Sequence, residues 1–297
     1  MFYDITTPVK YIIFLTCFLM LNLFLLTQNA SGTRKSGRYF ESLQHRLIKD
    51  GFDKDRISAL YIRPEVYFEI KGVSRFLVHR EAELNYNQFS SKKSIREALK
   101  YMARHRKALE NAEKTYGVDK EIITAILLVE TRLGTFVGRP LVLNTLSSTA
   151  ALADAHVRKM FWDKVSKSIR LTQKQFDRWV QRKSAWAYKE LKAFLVYTNE
   201  EHMDPLDVRG SYSGAMGIAQ FMPSNILVFA KDGDNNGTTN LFDHADAISS
   251  IGNYLKHYGW HPGIDREKAY QVIYHYNHSP QYVNTVLKVS AILKSKT

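Results

Sequence analysis

The segment that most restricts the fold is residues 119–133, DKEIITAILLVETRL, which is apolar on nearly every side when it is wound as a helix. A helix that is apolar all round belongs in the interior of a helical domain, because no face of it can be left to water. Ile122, Ile126 and Glu130 follow the i, i+4 spacing, so one carboxylate projects from the same face as the isoleucines. The segment therefore predicts a buried helix with one acidic side chain, Glu130, near its C-terminal end.

Helical periodicity continues on both sides of this segment. It predicts a short helix at residues 53–60, a long helix at 94–117 that Ser94 and Glu97 begin as a capping box and Gly117 ends, two helices within 159–201, and others at 245–258, at 266–275 and at the C-terminus. Residues 207–222, rich in Gly and Ser, and the polar residues 232–240 are predicted as loops. The alternation typical of strands is scarce, so the predicted fold class is mainly α.

An uncharged apolar run, residues 11–26, lies near the N-terminus. We interpret residues 1–32 as an export signal or a retained membrane anchor, with a buried helix of the folded domain as the alternative. Lys10 precedes the run whereas Arg34, Lys35 and Arg38 follow it, an asymmetry that by itself favours the opposite orientation. Residues 33–93 are predicted to form a basic tether, as far as about residue 51, and an N-terminal helical region. Residues 94–297 then form the main domain.

The formal net charge of +13 favours anionic partners, among which are nucleic acid, anionic lipid and a wall polymer with carboxylate-rich peptides. The one cysteine, Cys17, lies inside the apolar run. The rest of the chain therefore excludes both a disulfide framework and a thiolate metal site.

Glu130 is the first candidate for chemistry. A carboxyl group on an apolar helix is desolvated, which raises its pKa and lets it keep a proton near neutral pH, as a general acid for glycosidic cleavage requires. The alternative is a structural Glu at a helix end, paired with Arg132 or in water, and spacing alone favours that alternative.

The second candidate is SYSGAMGIAQFMPS, residues 211–224, a Gly-spaced loop that leads into a short helix. Gly214 and Gly217 allow a ligand or another backbone to approach closely, and Ser211 and Gln220 can hydrogen-bond sugar hydroxyls or an acetamido group. A tight turn between helices, with a buried Met, explains the same pattern equally well.

The third candidate is the stretch DGDNNGTTN, residues 232–240, which matches the opening of an EF-hand calcium loop. The predicted ligands, in a loop of residues 232–246, are oxygen atoms of Asp232, Asp234, Asn236, Thr238 and Asp246. Asp243 stands at the twelfth position, where a longer Glu is usual, and Asp246 suits a slightly extended loop better. The alternative is a solvated polar turn.

Four segments carry a resemblance to a known family: YGVDKEIITAILLVETRLGTFVG, DPLDVRGSYSGAMGIAQFMPS, NLFDHADAISSIGNYLKHYGW and YNHSPQY. In this order they resemble the membrane-bound lytic transglycosylase B family of murein-degrading enzymes. The similarity runs from about Tyr39 to the C-terminus.

The resemblance implies a lysozyme-like α domain in which Glu130 first protonates the oxygen between N-acetylmuramic acid and N-acetylglucosamine. Glu130 then acts as base towards the muramyl C6 hydroxyl, which attacks C1 and gives a 1,6-anhydro product. The matching positions imply that the glycan cleft is lined by Ser211, Gln220 and Tyr254, with Tyr276, Asn277 and Tyr282 at its other side. For each tyrosine, packing in the core is the alternative.

The resemblance also implies a structural calcium ion in the polar loop and no cofactor for catalysis. It places the protein in the periplasm, exported or anchored at the inner membrane by the N-terminal segment, as a monomer that binds peptidoglycan strands and no nucleic acid. The chain lacks the arginine pair that family members often carry after the Glu helix. Arg158 and Lys159 are the candidates to replace that pair.

Three other functions stay open on the sequence. A hydrolytic muramidase would use a second carboxylate, for which Glu200, Asp204 and Asp207 are available. A non-catalytic scaffold would bind the glycan with Glu130 idle. A basic nucleic-acid binder would show steep salt dependence, but the sequence contains no motif for it.

Overall fold

The computed structural model describes residues 38–79 and 85–297, and helices dominate this part of the chain. The described residues contain no β-strand, and only isolated bridges such as Gly210–Met216 occur among them. They cluster into two compact units, of which the first ends at Phe68 and the second comprises Glu69–Thr297. The prediction of a mainly α fold is therefore confirmed, while the predicted domain boundary at residue 94 stays a prediction.

The first unit contains helices α1, Glu41–Lys49, and α2, Lys54–Tyr61. An aromatic cluster joins them, in which the ring of Phe40 lies 5.4 Å from that of Tyr61 and 6.2 Å from that of Phe68. The helix predicted at 53–60 is confirmed. The predicted tether is wrong for residues 41–49, because their leucines fall on one helical face and are buried.

The second unit contains a 3-10 helix, Tyr86–Ser90, and eleven α-helices among the described residues. These are α3 Ile70–Val78, α4 Lys92–Arg104, α5 Arg106–Tyr116, α6 Lys120–Thr131, α7 Val142–Ala151, α8 Ala155–Val165, α9 Gln173–Glu200, α10 Pro223–Phe229, α11 His244–His257, α12 Arg266–Tyr276 and α13 Pro280–Lys294. The helices predicted within 159–201, at 245–258, at 266–275 and at the C-terminus are confirmed. Helices α3 and α7 were not predicted from the sequence, whereas α10 is the short helix expected after the Gly-rich loop.

The core of the second unit is built on α6 and α7. Helix α6 packs against α13 and α7 against the long helix α9, while α11 packs against α5. Residues 121–128 of α6 are all buried, as is every residue of α7. The apolar segment 119–133 therefore forms the interior helix that its composition predicted.

The helix predicted at 94–117 is divided. It begins two residues earlier than predicted and breaks at His105, whose imidazole ring lies 4.3 Å from that of Tyr101 and 4.3 Å from that of His244. Because His244 belongs to α11, the break lies at a tertiary contact that the local sequence does not encode. Gly117 ends α5 in the left-handed conformation, with φ 69°, as predicted.

The predicted capping box of Ser94 and Glu97 is wrong. Ser91 is the N-cap of α4, and its hydroxyl accepts the backbone N–H of Ser94 at 3.2 Å. The Ser94 hydroxyl donates to the carbonyl of Gln88, and the Glu97 carboxylate pairs with Lys100. The 3-10 helix before α4 thus supplies the partner that the sequence pattern could not show.

The apolar run at residues 11–26, predicted as a signal or anchor, lies outside the described residues. Within the described part, no helix combines the length and apolar character needed to span a bilayer.

Candidate active site

Glu130 lies in the last turn of α6 and is partly exposed, whereas the residues before it as far back as Glu121 are buried, apart from Val129. The helix ends immediately after it, since Arg132 and Leu133 adopt left-handed conformations with φ 50° and 63°. The amide of Leu133 donates to the carbonyl of Leu127 at 2.9 Å, so this end is hydrogen-bonded rather than frayed. The predicted helix end at Leu133 is two residues too late. The early end places Glu130 at the boundary between core and solvent.

The hydroxyl of Tyr282, on α13, donates a hydrogen bond to Oε1 of Glu130 at 2.7 Å. Tyr282 is buried, and its ring is nearly parallel to that of Tyr276, 6.3 Å away. Burial, together with the charge of Glu130, holds the pKa of both phenols well above its ordinary value. Tyr282 therefore keeps its proton and acts as a hydrogen-bond donor to the carboxylate.

The Gly-rich loop is held beside this helix end by two hydrogen bonds. The hydroxyl of Thr131, next to Glu130, donates to the carbonyl of Ile218 at 2.9 Å. The hydroxyl of Tyr276 donates to the carbonyl of Ala219 at 2.5 Å. The structure thus brings Glu130, Tyr276, Tyr282 and the loop together, although they come from distant parts of the chain.

Glycines are required inside the loop. A Cβ on Gly217 would lie 2.7 Å from the carbonyl oxygen of Leu241, and the φ of 74° disfavours other residues. A Cβ on Gly214 would lie 2.5 Å from the Leu146 side chain. These glycines therefore let the loop pack tightly, and Met216 within it is buried, as in the alternative of a tight turn with a buried Met.

Ser211 and Gln220, both partly exposed, stabilise the loop. The hydroxyl oxygen of Ser211 accepts the backbone N–H of Ala215 at 3.1 Å. The amide nitrogen of Gln220 donates to the carbonyl of Gly217 at 2.9 Å and to that of Val137 at 3.2 Å. Val137 follows the Glu130 helix, so Gln220 ties the loop to the segment that leaves the site.

Tyr254 and Asn277 complete the predicted set. Tyr254 is only 4% exposed, and its hydroxyl donates to the carbonyl of His275. Its ring meets that of Tyr276 edge-on at 5.1 Å, so it supports the site from the core side. Asn277 is partly exposed and ends α12 in an extended conformation.

Tyr86 was missed by the sequence reasoning. It belongs to the 3-10 helix, and its ring meets that of Tyr282 edge-on at 6.5 Å. No spacing rule links residues so far apart in the chain, and with 17 tyrosines the residue type alone carries no signal.

The three side chains that the sequence offers as a second carboxylate are all at least partly exposed. Asp204 is partly exposed, and its Oδ1 accepts the N–H of Leu206 in a turn. Asp207 and Glu200 are exposed. Of the two candidates for the missing arginine pair, Lys159 is exposed and forms an ion pair with Asp163 along the surface of α8.

The polar loop gathers three carboxylates. Oxygen atoms of Asp232, Asp234 and Asp246 lie within 4.8 Å of one another. Asp246 is fully buried and accepts the N–H groups of Gly233 and Asn240, each at 2.7 Å. Burial raises the pKa of Asp246. Convergent carboxylates with one buried member fit a hard cation such as Ca²⁺, which takes six to eight oxygen ligands.

Asp243 has a different task, because its carboxylate caps α11 by accepting the N–H of Ala245 at 2.6 Å. Of the other predicted ligands, Asn236 turns its side-chain oxygen towards Thr238, whose N–H and hydroxyl donate to it.

Comparison with known proteins gives consistent matches. A family model described as the transglycosylase SLT domain matches residues 35–267. The membrane-bound lytic murein transglycosylase B of Escherichia coli (strain K12) is 32% identical over 183 residues, which are 61% of this chain and 43% of that protein. The match thus spans less than half the length of this relative.

Solved structures share the fold. Soluble lytic transglycosylase SltB1 from Pseudomonas aeruginosa has a TM-score of 0.69 at 24% identity, covering 86% of this chain and 98% of that one. Escherichia coli lytic transglycosylase Slt35, in complex with calcium, has a TM-score of 0.68 at 22% identity, covering 87% and 93%. Pseudomonas aeruginosa SltB3, in complex with NAG-anhNAM-pentapeptide, has a TM-score of 0.68 at 17% identity, covering 86% and 79%. The predicted lysozyme-like α fold is confirmed.

Proposed function

Because the chain belongs to the transglycosylase SLT domain family, we propose that it is a lytic transglycosylase of peptidoglycan, with Glu130 as its single acid and base. The observation that carries the proposal is the hydrogen bond between the partly exposed Glu130 and the buried Tyr282, beside the Gly-rich loop. A carboxylate that served only as a surface ion pair would not need a buried phenol as its donor.

In the proposed reaction, Glu130 donates its proton to the oxygen that links N-acetylmuramic acid to N-acetylglucosamine, and the C1–O bond breaks. The muramyl C6 hydroxyl then attacks C1, and its proton returns to Glu130. The product is a 1,6-anhydromuramoyl end, and the enzyme regains its starting state without water. Because the nucleophile belongs to the substrate, proximity replaces the second carboxylate that ordinary glycosidases need.

Tyr282 positions the acid. Its hydrogen bond fixes the rotation of the carboxyl group, and a group bound through one oxygen can carry its proton on the other. A bond to the charged form also stabilises the carboxylate that remains after proton donation. We assign Tyr276 and Asn277 to the border of the glycan site, Ser211 and Gln220 to its loop wall, and Tyr254 to the layer behind it.

The test is mass spectrometry of purified peptidoglycan after incubation with the wild-type protein and with Glu130→Gln. We expect anhydromuramoyl ends from the wild type and none from Glu130→Gln, while Glu267→Gln, an exposed control, behaves as wild type. Reducing ends would instead identify a hydrolytic muramidase. Strand binding without cleavage by the wild type would identify a scaffold.

We also propose a structural calcium ion held by Asp232, Asp234 and Asp246, with Asn236 and Thr238 as further oxygen ligands. The convergent carboxylates support this, and one of the structural relatives was solved in complex with calcium. The ion would tie the polar loop to α11, and catalysis would need no cofactor because Glu130 carries the proton in both steps.

Calcium should therefore raise the unfolding temperature over that measured in EDTA, and Asp234→Asn should abolish this rise whereas Asp177→Asn, an exposed control, keeps it. Turnover measured well below the unfolding temperature should be the same in EDTA as in calcium. A loss of turnover in EDTA without unfolding would contradict a purely structural ion.

We propose that residues 1–32 direct the protein across the inner membrane or anchor it there, so that it acts in the periplasm. The uncharged apolar run supports this, and the Escherichia coli relative is named as membrane-bound. Cell fractionation of the full chain, compared with a chain lacking residues 1–32, tests it. Recovery of the full chain in the cytoplasm would contradict export.

A further inference from the structure

A cavity of about 610 Å³ opens beside the C-terminal end of α6. This volume lies within the range of about 300 to 1,000 Å³ that is usual for ligand sites. We call this cavity the Arg132 cavity. Its wall consists of Gln88, Phe89, Ser91, Lys93, Ser94, Glu97, Lys100, Tyr101, Arg104, Leu128, Arg132, Leu133 and Thr135.

The wall is strongly basic. Among the described residues that form it, four are cationic, namely Lys93, Lys100, Arg104 and Arg132, and Glu97 is the one carboxylate. Glu97 pairs with Lys100 at 3.1 Å. The remaining wall therefore attracts a negatively charged ligand, over a floor that Phe89, Leu128 and Leu133 make apolar.

The cavity adjoins the candidate active site through shared elements. The 3-10 helix Tyr86–Ser90 contacts Tyr282 through Tyr86, while Gln88 and Phe89 of the same helix line the cavity. A guanidinium N–H of Arg132 donates to Oε1 of Gln88 at 2.6 Å. Arg132 follows Glu130 by two residues and is turned by its left-handed backbone, so the helix end contributes to both sites.

We propose that the Arg132 cavity binds the acidic peptide stem of peptidoglycan. This inference rests on the proposed function and adds the part of the substrate that the glycan site does not contact. A glycan strand is neutral apart from its side groups, whereas the stem carries free carboxylates and short aliphatic side chains. Basic residues around an apolar floor complement that chemistry, and the stem branches from the muramyl residue whose bond Glu130 cleaves.

The experiment uses the Glu130→Gln protein, which does not consume its ligand, and measures calorimetrically the affinities for uncrosslinked strands with peptide stems and for the same strands stripped of stems by an amidase. Lys93→Glu/Arg104→Glu should lower the ratio of the two affinities at least about tenfold, because two charge-assisted contacts become repulsive. Lys174→Glu/Lys189→Glu on α9 changes the net charge equally and should leave the ratio as it was.

An unchanged ratio in Lys93→Glu/Arg104→Glu overturns the inference, and so does an equal fall in the control, which would indicate a long-range charge effect. The wild-type protein, assayed for anhydromuramoyl products, keeps the two proposals distinguishable. If the wild type releases anhydromuramoyl products but the affinity ratio is unchanged in Lys93→Glu/Arg104→Glu, only the stem site is contradicted. If the wild-type protein releases no anhydromuramoyl products, the proposed function is contradicted. Tighter binding of inorganic phosphate than of stem-bearing strands would point to a phosphate ligand and would also overturn the inference.

Discussion

Tyr282 is 2% exposed, yet its hydroxyl reaches a carboxylate at 2.7 Å. A buried phenol without a partner is costly, and a carboxylate at the edge of an apolar helix is poorly solvated. Each group therefore satisfies the other, and the pair fixes the one acid that the proposed reaction uses.

Tyr282→Phe removes this hydrogen bond and little else. We expect turnover of peptidoglycan to fall about 10- to 100-fold, because a hydrogen bond to a charged group contributes about 1.5 to 3 kcal/mol. Tyr254→Phe is the matched control, since its hydroxyl donates to the His275 carbonyl on the core side of the site. It should reduce stability slightly and leave the rate nearly unchanged. Equal rate losses in the two variants would contradict a positioning role for Tyr282.

His105 gives a prediction about pH. Burial, and then the neighbouring His244, lower the pKa of its imidazole in the folded state. As the pH falls through about 6.5, the unfolded chain takes up a proton before the folded one does. The contribution of His105 to the free energy of unfolding is therefore fully present above this pH. It decreases as the pH falls from about 6.5 to the lowered pKa of the folded state.

The unfolding temperature should accordingly fall between about pH 7.5 and pH 5.5, and His105→Gln should show a smaller fall. His156→Gln, at an exposed position on α8, should follow the wild type. The hypothesis fails if His105→Gln loses as much stability on acidification as the wild type does.

At the scale of elements, α9 supports α10 through one buried side chain. Glu190 is 3% exposed, and its carboxylate accepts the N–H and the hydroxyl of Ser224 at 2.8 Å each. Helix α10 begins with Pro223 at the end of the Gly-rich loop, and no side chain of its own N-cap residue forms a capping bond. Glu190 therefore holds the helix start on which that loop ends.

Glu190→Ala should lower the free energy of unfolding by about 1 to 3 kcal/mol, because it removes the acceptor of two hydrogen bonds from the partly exposed Ser224. Glu190→Gln keeps one acceptor and should lose less. Urea denaturation measures both against Lys189→Ala, an exposed neighbour. A Glu190→Ala protein as stable as this control would show that the cap contributes nothing.

At the scale of the whole molecule, the net charge of +13 acts over longer distances than any single contact. Binding of the Glu130→Gln protein to purified peptidoglycan should weaken from roughly 0.05 M to 0.5 M salt, because ions screen the exposed charges. Co-sedimentation measures this, with uncharged chitin as the control ligand. Binding of the two polymers with the same salt dependence would exclude attraction to the peptide carboxylates.

The sequence by itself determined the class of the fold and some of the residues on which the proposals rest. Segment 119–133 could only be an interior helix, the spacing 122, 126, 130 placed an acid on it, and the alternating aspartates of residues 232–236 indicated the carboxylate cluster. These predictions depend on spacings of two to four residues between side chains, which can be seen within a short segment of the sequence.

Only the tertiary structure decided the contacts between distant segments. Glu130 and Tyr282 are 152 residues apart, and no local pattern pairs them. At the helix break the His105 ring contacts His244, and of the two aspartates considered for the metal loop Asp246 joins the carboxylate cluster while Asp243 caps α11. The physical reason is the same in all three cases. Each arrangement is stabilised by contacts between groups that packing brings together, and the sequence shows which groups are present but not which of them come into contact.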